Sequence, residues 1–112
     1  MYNIVIFFMK RYDIMKLFVD DKRDAPSKDY QVARDFISAT MLLGILKFEF
    51  IDLDYSLEEE KNGLDILIWM HENNITVPHI NIHSSNIEGR KKMLIYAENH
   101  FPKTTVTYYV AK

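Results

Sequence analysis

Residues Met15–Asp21, Met-Lys-Leu-Phe-Val-Asp-Asp, constrain this chain more than any other stretch. A short apolar run of strand-forming residues ends abruptly in two adjacent carboxylates. Ionised carboxylates are almost never fully buried without a partner. Asp20 and Asp21 therefore need a cation, a basic side chain or a proton. A second apolar run, Phe48–Asp54, ends the same way, and a third, Val77–Ser85, ends in a histidine and two hydroxyls. In a parallel sheet, ligands bind in the crevice outside the carboxyl ends of the strands. Three strands that put their polar groups at one edge point to one site.

The intervening segments support such a sheet. Lys22–Asp29 is dense in charge and contains Pro26, so it reads as a loop. Tyr30–Arg34 fits either a short strand or the opening of a helix. Val32, Phe36, Leu43 and Leu46 lie at helical spacing, and Asp35 is a suitable N-cap, which predicts a helix over Phe36–Leu46 with Gly44 near its end. Tyr55–Asn62, with three glutamates in a row, reads as a solvated loop or a first helical turn. Gly63–Asn73 reads as a helix with Leu64, Leu67, Ile68 and His71 on one side. Pro78–Ile82 is the next strand, since proline suits a strand's first residue. Ser84–Gly89 is a polar turn into a helix over Arg90–His100, which Pro102 ends, and Thr104–Val110 is a last strand. This alternation predicts an α/β fold with a mostly parallel sheet and helices on both faces.

A length of 112 residues implies one domain. The net charge of −2 supplies no basic footprint for a nucleic acid polymer and no polybasic patch for a membrane. The absence of cysteine excludes disulfides, thiolate metal cages and cysteine nucleophiles, and makes a cytoplasmic location the default. Residues 1–14 hold an apolar run too short to span a bilayer, with no preceding positive region and no cleavage site after it. They read as an extension: an added edge strand, an arm for a partner or a second copy, or residues upstream of a natural start at Met15.

Asp20, Asp21 and Asp54 at one strand edge make a hard, oxygen-rich site suited to Mg2+, Mn2+ or Ca2+. The plainer alternative is that Asp20 or Asp21 caps a helix or pairs with Lys22 or Arg23. Asp52 is read as alternating with Asp54, which would turn one of the pair outward. His83, Ser84, Ser85, Asn86 and Arg90 form a second constellation, in which a helix N-terminus, hydroxyls, an amide and a guanidinium offer donors to a phosphate. Gly89 allows close backbone approach. Alternatively, Ser85 or Asn86 is only an N-cap and Arg90 lies in solvent. Trp69 and His71 read as packing residues, and His79 and His100 as surface residues. Tyr55 leans over the site or covers the sheet edge.

Four runs resemble a known family: Leu17–Arg23, Ile51–Asp54, Asn62–Leu67 and Ile82–Met93. Together they resemble the cyclic-phosphate processing receiver-like domains, relatives of response-regulator receivers, over Met15 to the C-terminus. The resemblance implies a receiver-like (flavodoxin-like) three-layer fold for residues 15–112. It also implies a divalent cation, Mg2+ or Mn2+, on Asp20, Asp21 and Asp54. Asp54 would match the phosphorylated position of ordinary receivers, and Ser84 and Lys112 the phosphoryl-contacting ones. The implied activity is metal-dependent hydrolysis of a small cyclic phosphate derived from a nucleotide, with Asp54 and His83 catalytic and Ser84, Asn86 and Arg90 on the phosphate. A phospho-accepting signalling module and a non-catalytic phosphate- or nucleotide-binding domain are the alternatives. Two departures stand out. Leu53-Asp54-Tyr55-Ser56-Leu57 replaces a Leu-Asp-His-Asp-Leu pattern. The interval from Asp21 to Gln31 is also too short for a crossover helix, so the first receiver helix is expected to be missing and one side of the pocket open.

Overall fold

The computed structural model describes residues 14–109. Within them the elements run β1 (Lys16–Val19), β2 (Tyr30–Ala33), α1 (Phe36–Ile45), β3 (Phe50–Asp54), α2 (Gly63–Glu72), β4 (His79–His83), α3 (Ile87–His100) and β5 (Thr105–Tyr109). All five strands are parallel, in the order β2-β1-β3-β4-β5. The fold is the expected α/β receiver-like one. Between β1 and β2 there is no helix, as the short interval required. The N-terminal extension up to residue 13, Lys112 and the last residue of the expected final strand lie outside the described residues.

Local chemistry fixes the helix ends. Asp35 accepts the amide of Ser38 while the Ser38 hydroxyl meets the Asp35 amide, a reciprocal capping box that starts α1 as expected. Asn62 and Asp65 form the same box at the start of α2. The third helix begins at Ile87 and not at Arg90, because the Asn86 side chain accepts the Gly89 amide and recruits three more residues into the first turn.

The strand register sorts side chains onto two faces. Leu17, Val19, Ala33, Ile51, Leu53, Ile80 and Ile82 share one face and a single core with Ala39, Leu43, Ile66, Leu67, Met70, Met93 and Ala97 of the helices. The crossovers β2–α1–β3, β3–α2–β4 and β4–α3–β5 all advance in one direction across the sheet. Right-handed connections then place all three helices on that same face. Helices were expected on both faces. Among the described residues the second face carries none, because the β1–β2 connection, the only one running the other way, has no helix. The buried side of α2 is also corrected: Ile66, Leu67 and Met70 are buried and His71 is exposed. Since α2 packs against both α1 and α3, apolar residues surround much of it and spacing alone does not select a face.

Candidate functional site

The helix-free face carries the polar groups. Phe18, Asp52, Asn81 and Thr107 are register partners across it, as are Asp54, His83 and Tyr109 one step nearer the carboxyl edge. Residues two apart in a strand share a face. Asp52 and Asp54 therefore point the same way, and both are buried. The expectation that one of them turns outward is overturned.

Asp20, directly after β1, is fully buried. Its Oδ1 accepts the amides of Lys22 and Arg23 at 2.8 Å each, which folds the chain into a turn. Its Oδ2 accepts from His83 Nε2 at 2.7 Å and from Arg23 Nη1 at 3.0 Å. Burial alone would raise this carboxyl, but the amides of Arg23 and Lys22, then His83 and the Arg23 guanidinium, hold it at about 2. Arg23 Nη1 also reaches Asp54 Oδ2 at 3.2 Å, so one guanidinium ties two strand ends together. Asp54 is pushed up, first by burial and then by the charge of Asp20, against the pull of His83, Arg23 and a hydrogen bond with the Ser84 side chain.

His83, the last residue of β4, is completely buried. Its Nδ1 lies 2.6 Å from Asp52 Oδ1 and its Nε2 2.7 Å from Asp20 Oδ2. A neutral imidazole has one donor and one acceptor, and an ionised carboxylate only accepts. Both bonds therefore call for an imidazolium. Burial pulls the ring down, but the hydrogen bond and charge of Asp52, then Asp20 and Asp54, outweigh it and hold the ring above its ordinary value. Phe18 and Tyr109 stack on the ring, with centroids at 5.1 and 5.7 Å, an arrangement that suits a cation. The network continues down the sheet: Asn81 Nδ2 donates to Asp52, the Thr107 hydroxyl donates to Asn81, and His79 Nε2 meets Thr107. His79 is accordingly a partnered residue on the sheet face and not a lone surface histidine. His100 is exposed but stacks on Tyr96. His71 packs its ring against His100 and Phe101, and Trp69 joins the core margin, both as expected.

Asp20, Asp54 and His83 offer ligand atoms within 4.8 Å of one another. Asp21, the next residue after Asp20, is not in this group, but its Oδ2 is buried without a hydrogen-bond partner. Hard carboxylate oxygens, one of them orphaned, fit a divalent cation such as Mg2+ or Mn2+. With both His83 nitrogens facing carboxylates, the oxygens are the natural ligands.

The second constellation is split. Ser84 is buried beside Asp54, and its hydroxyl accepts the Asn86 amide at 3.1 Å. Asn86 spends its side-chain oxygen on the α3 cap. Arg90 donates to the Ser84 carbonyl at 2.8 Å and lies over the Tyr108 ring, so it braces the β4–α3 turn and is not loose in solvent. Tyr55 lies against Gly89, where a Cβ would enter its ring. Sequence reasoning missed two residues. Asp52 was discoverable from its two-residue spacing to Asp54. Arg23 was weighed only as a plain ion-pair partner of Asp20, and its reach to Asp54, 31 positions on, has no local signal.

A family model described as the cyclic-phosphate processing receiver domain matches residues 15–99. The chain belongs to that family. No curated protein matches this cyclic-phosphate processing receiver domain. Among solved structures it is similar to the signal receiver domain of an HD domain-containing protein from Pseudomonas fluorescens Pf-5. That match has a TM-score of 0.64 and 17% identity, covering 87% of this chain and 81% of the other. It is also similar to the receiver domain of the Francisella response regulator 1452, with a TM-score of 0.59 and 18% identity, covering 87% and 83%. At these identities the likeness concerns the fold. Among the described residues no helix is long and apolar enough to cross a membrane.

Proposed function

We propose that this receiver-like domain binds a small, nucleotide-derived cyclic phosphate at the carboxyl edge of its sheet and opens the ring by hydrolysis. The observation that carries the reading is the convergence of Asp20, Asp54 and His83, at the carboxyl ends of three different strands, within 4.8 Å on the side where the first crossover helix is absent. Asp20, Asp21 and Asp54 would hold Mg2+ or Mn2+. Such an ion polarises a phosphoryl oxygen and offsets developing negative charge. Asp54 takes a proton from the attacking water, and the new P–O bond forms as the ring P–O bond breaks. His83 supplies a proton to the departing ring oxygen, which requires its Nε2 to exchange Asp20 for the substrate. Ser84 and Arg90, on either side of the start of α3, would donate to the phosphate, together with amides of the first turn of α3. Cytoplasmic residence, and association through residues 1–14, belong to the same proposal.

The burial of Ser84 directly after His83 and close to Asp54 favours a second reading, in which Asp54 accepts a phosphoryl group as a signalling receiver. A domain that binds the ligand without turnover is the third. Incubating the protein with Mg2+ and a panel of cyclic phosphodiesters, then with acetyl phosphate, separates them. Ring-opened product supports hydrolysis, a gain in protein mass supports signalling, and binding with neither supports the third. Asp54→Asn is expected to abolish metal-dependent ring opening with the fold intact; undiminished turnover removes Asp54 from the chemistry.

A further inference from the structure

Asp20 has no bonding capacity to spare. An ionised carboxylate offers about four lone-pair sites, and Asp20 fills them with the amides of Lys22 and Arg23, His83 Nε2 and Arg23 Nη1. A divalent cation needs carboxylate oxygen at about 2.0–2.6 Å, so one donor must leave before Asp20 can ligate it. The two amides are part of the turn that starts the β1–β2 loop. His83 is fully buried, held from its other side by Asp52 and stacked by Phe18 and Tyr109, so with no substrate present to take its Nε2 proton it keeps its place on Asp20. Arg23 differs from all three: its side chain is 34% exposed, and it enters on a long stem from a loop. The nitrogen that fills the fourth site on Asp20 also spans to Asp54.

We infer that Arg23 is a resident, exchangeable cation: it bridges Asp20 and Asp54 when no divalent ion is bound and gives up that position when one arrives. The inference rests on the reading of Asp20, Asp21 and Asp54 as a cation site and adds what regulates that site. Removing the guanidinium has two opposed effects. It leaves two neighbouring buried carboxylates without their shared counter-charge, which weakens the ion-free fold. It also vacates the slot the ion needs, which tightens ion binding.

Titration with MgCl2 alone, followed by calorimetry and thermal unfolding, tests this on the wild type, Arg23→Gln and Arg23→Lys. Without Mg2+, Arg23→Gln is expected to melt below the wild type; with Mg2+, its melting temperature rises more. Its Mg2+ affinity is expected to be about tenfold tighter, as for loss of one charge-assisted competitor. Arg23→Lys keeps a point charge without the planar fork and falls between. In the wild type, the Arg23 guanidinium NMR signal is expected to move along the same Mg2+ isotherm, so the inference is decided even if Arg23→Gln does not fold. A Mg2+ affinity in Arg23→Gln equal to or weaker than the wild type's, or an Arg23 signal unmoved while Mg2+ binds, overturns the exchange and leaves the cation site standing. Failure of every chain to bind Mg2+ overturns the site itself, and the exchange with it.

Discussion

The charge state of His83 depends on Asp52, which is not itself one of the clustered ligand groups. Asp52 Oδ1 holds both His83 Nδ1 and Asn81 Nδ2, so one buried carboxylate orients the ring and is its leading counter-charge. A histidine whose folded pKa is raised stabilises the fold fully below its unfolded value, near 6.5, and loses that contribution as pH rises through the folded value. Asp52→Asn removes the leading upward influence. The stability gap between wild type and Asp52→Asn is therefore expected to be widest between about pH 5 and 6.5, where carboxylates are still ionised, and to narrow at higher pH. Urea midpoints across that range check it, and a gap that does not change with pH would show that His83 is not held as an imidazolium. Gly63 makes a second, steric point. A Cβ there would run into the Asp54 carbonyl and the Met93 side chain. Gly63→Ala is expected to cost about 1–3 kcal/mol by overpacking and to disturb Asp54 through its own backbone, with the first measurable by urea unfolding. At this scale the sequence was legible where the argument was local. The acids after β1 and β3 were identifiable, whereas the Arg23–Asp54 and His83–Asp52 contacts join residues 31 positions apart and needed the register.

Among the elements, α1 separates what packing requires from what the pattern suggests. It has no charged residue, and Ala39 and Leu43 face the core while Ile37, Met41 and Ile45 face outward, the last 74% exposed. A helix that is apolar on most sides gives no clue to its buried side, and Asp35 as N-cap fixed its start. Leu43→Ala is expected to cost about 2–5 kcal/mol through the cavity it leaves. Ile45→Lys is expected to change stability by no more than about 0.5 kcal/mol, and Asp35→Ala to cost about 1 kcal/mol through the lost cap. Denaturant unfolding of the three variants ranks them, and a costly Ile45→Lys would mean that the outer stripe is covered in solution. The start of α3 was misplaced for a related reason. Ser85 and Asn86 are both plausible caps, and only the fold shows that Asn86 takes the amide of Gly89. The strands were easier, because β3 and β4 are apolar runs with abrupt polar ends.

At the scale of the whole molecule, the strand–helix alternation revealed a parallel sheet but not its one-sidedness. Pattern reports which segments are helices, while the face each one covers depends on the direction of its crossover, which requires the strand order. The order β2-β1-β3-β4-β5 leaves β1, β3 and β4 paired on both sides, with β2 and β5 paired on one side within the described residues. The central strands bury nearly all their side chains. The outer two expose Gln31, Val32, Thr105, Thr107, Tyr108 and Tyr109. Stability within a fold is lowest where buried apolar contacts are few and backbone hydrogen bonds are exposed. Edge amides should then be released by partial opening that leaves the β1–β3–β4 core and the acid cluster at its carboxyl end intact. Native-state hydrogen exchange is expected to show amides of β3 and β4 exchanging at least about tenfold more slowly than those of β5, a difference of about 1.4 kcal/mol in opening free energy. Site-resolved exchange by NMR measures it directly. Equal protection of β3 and β5 would mean that the edge opens only with the entire domain, and that the Asn81–Thr107 and His79–Thr107 bonds, the cross-strand ties on the helix-free face, hold β5 as firmly as the core holds β3.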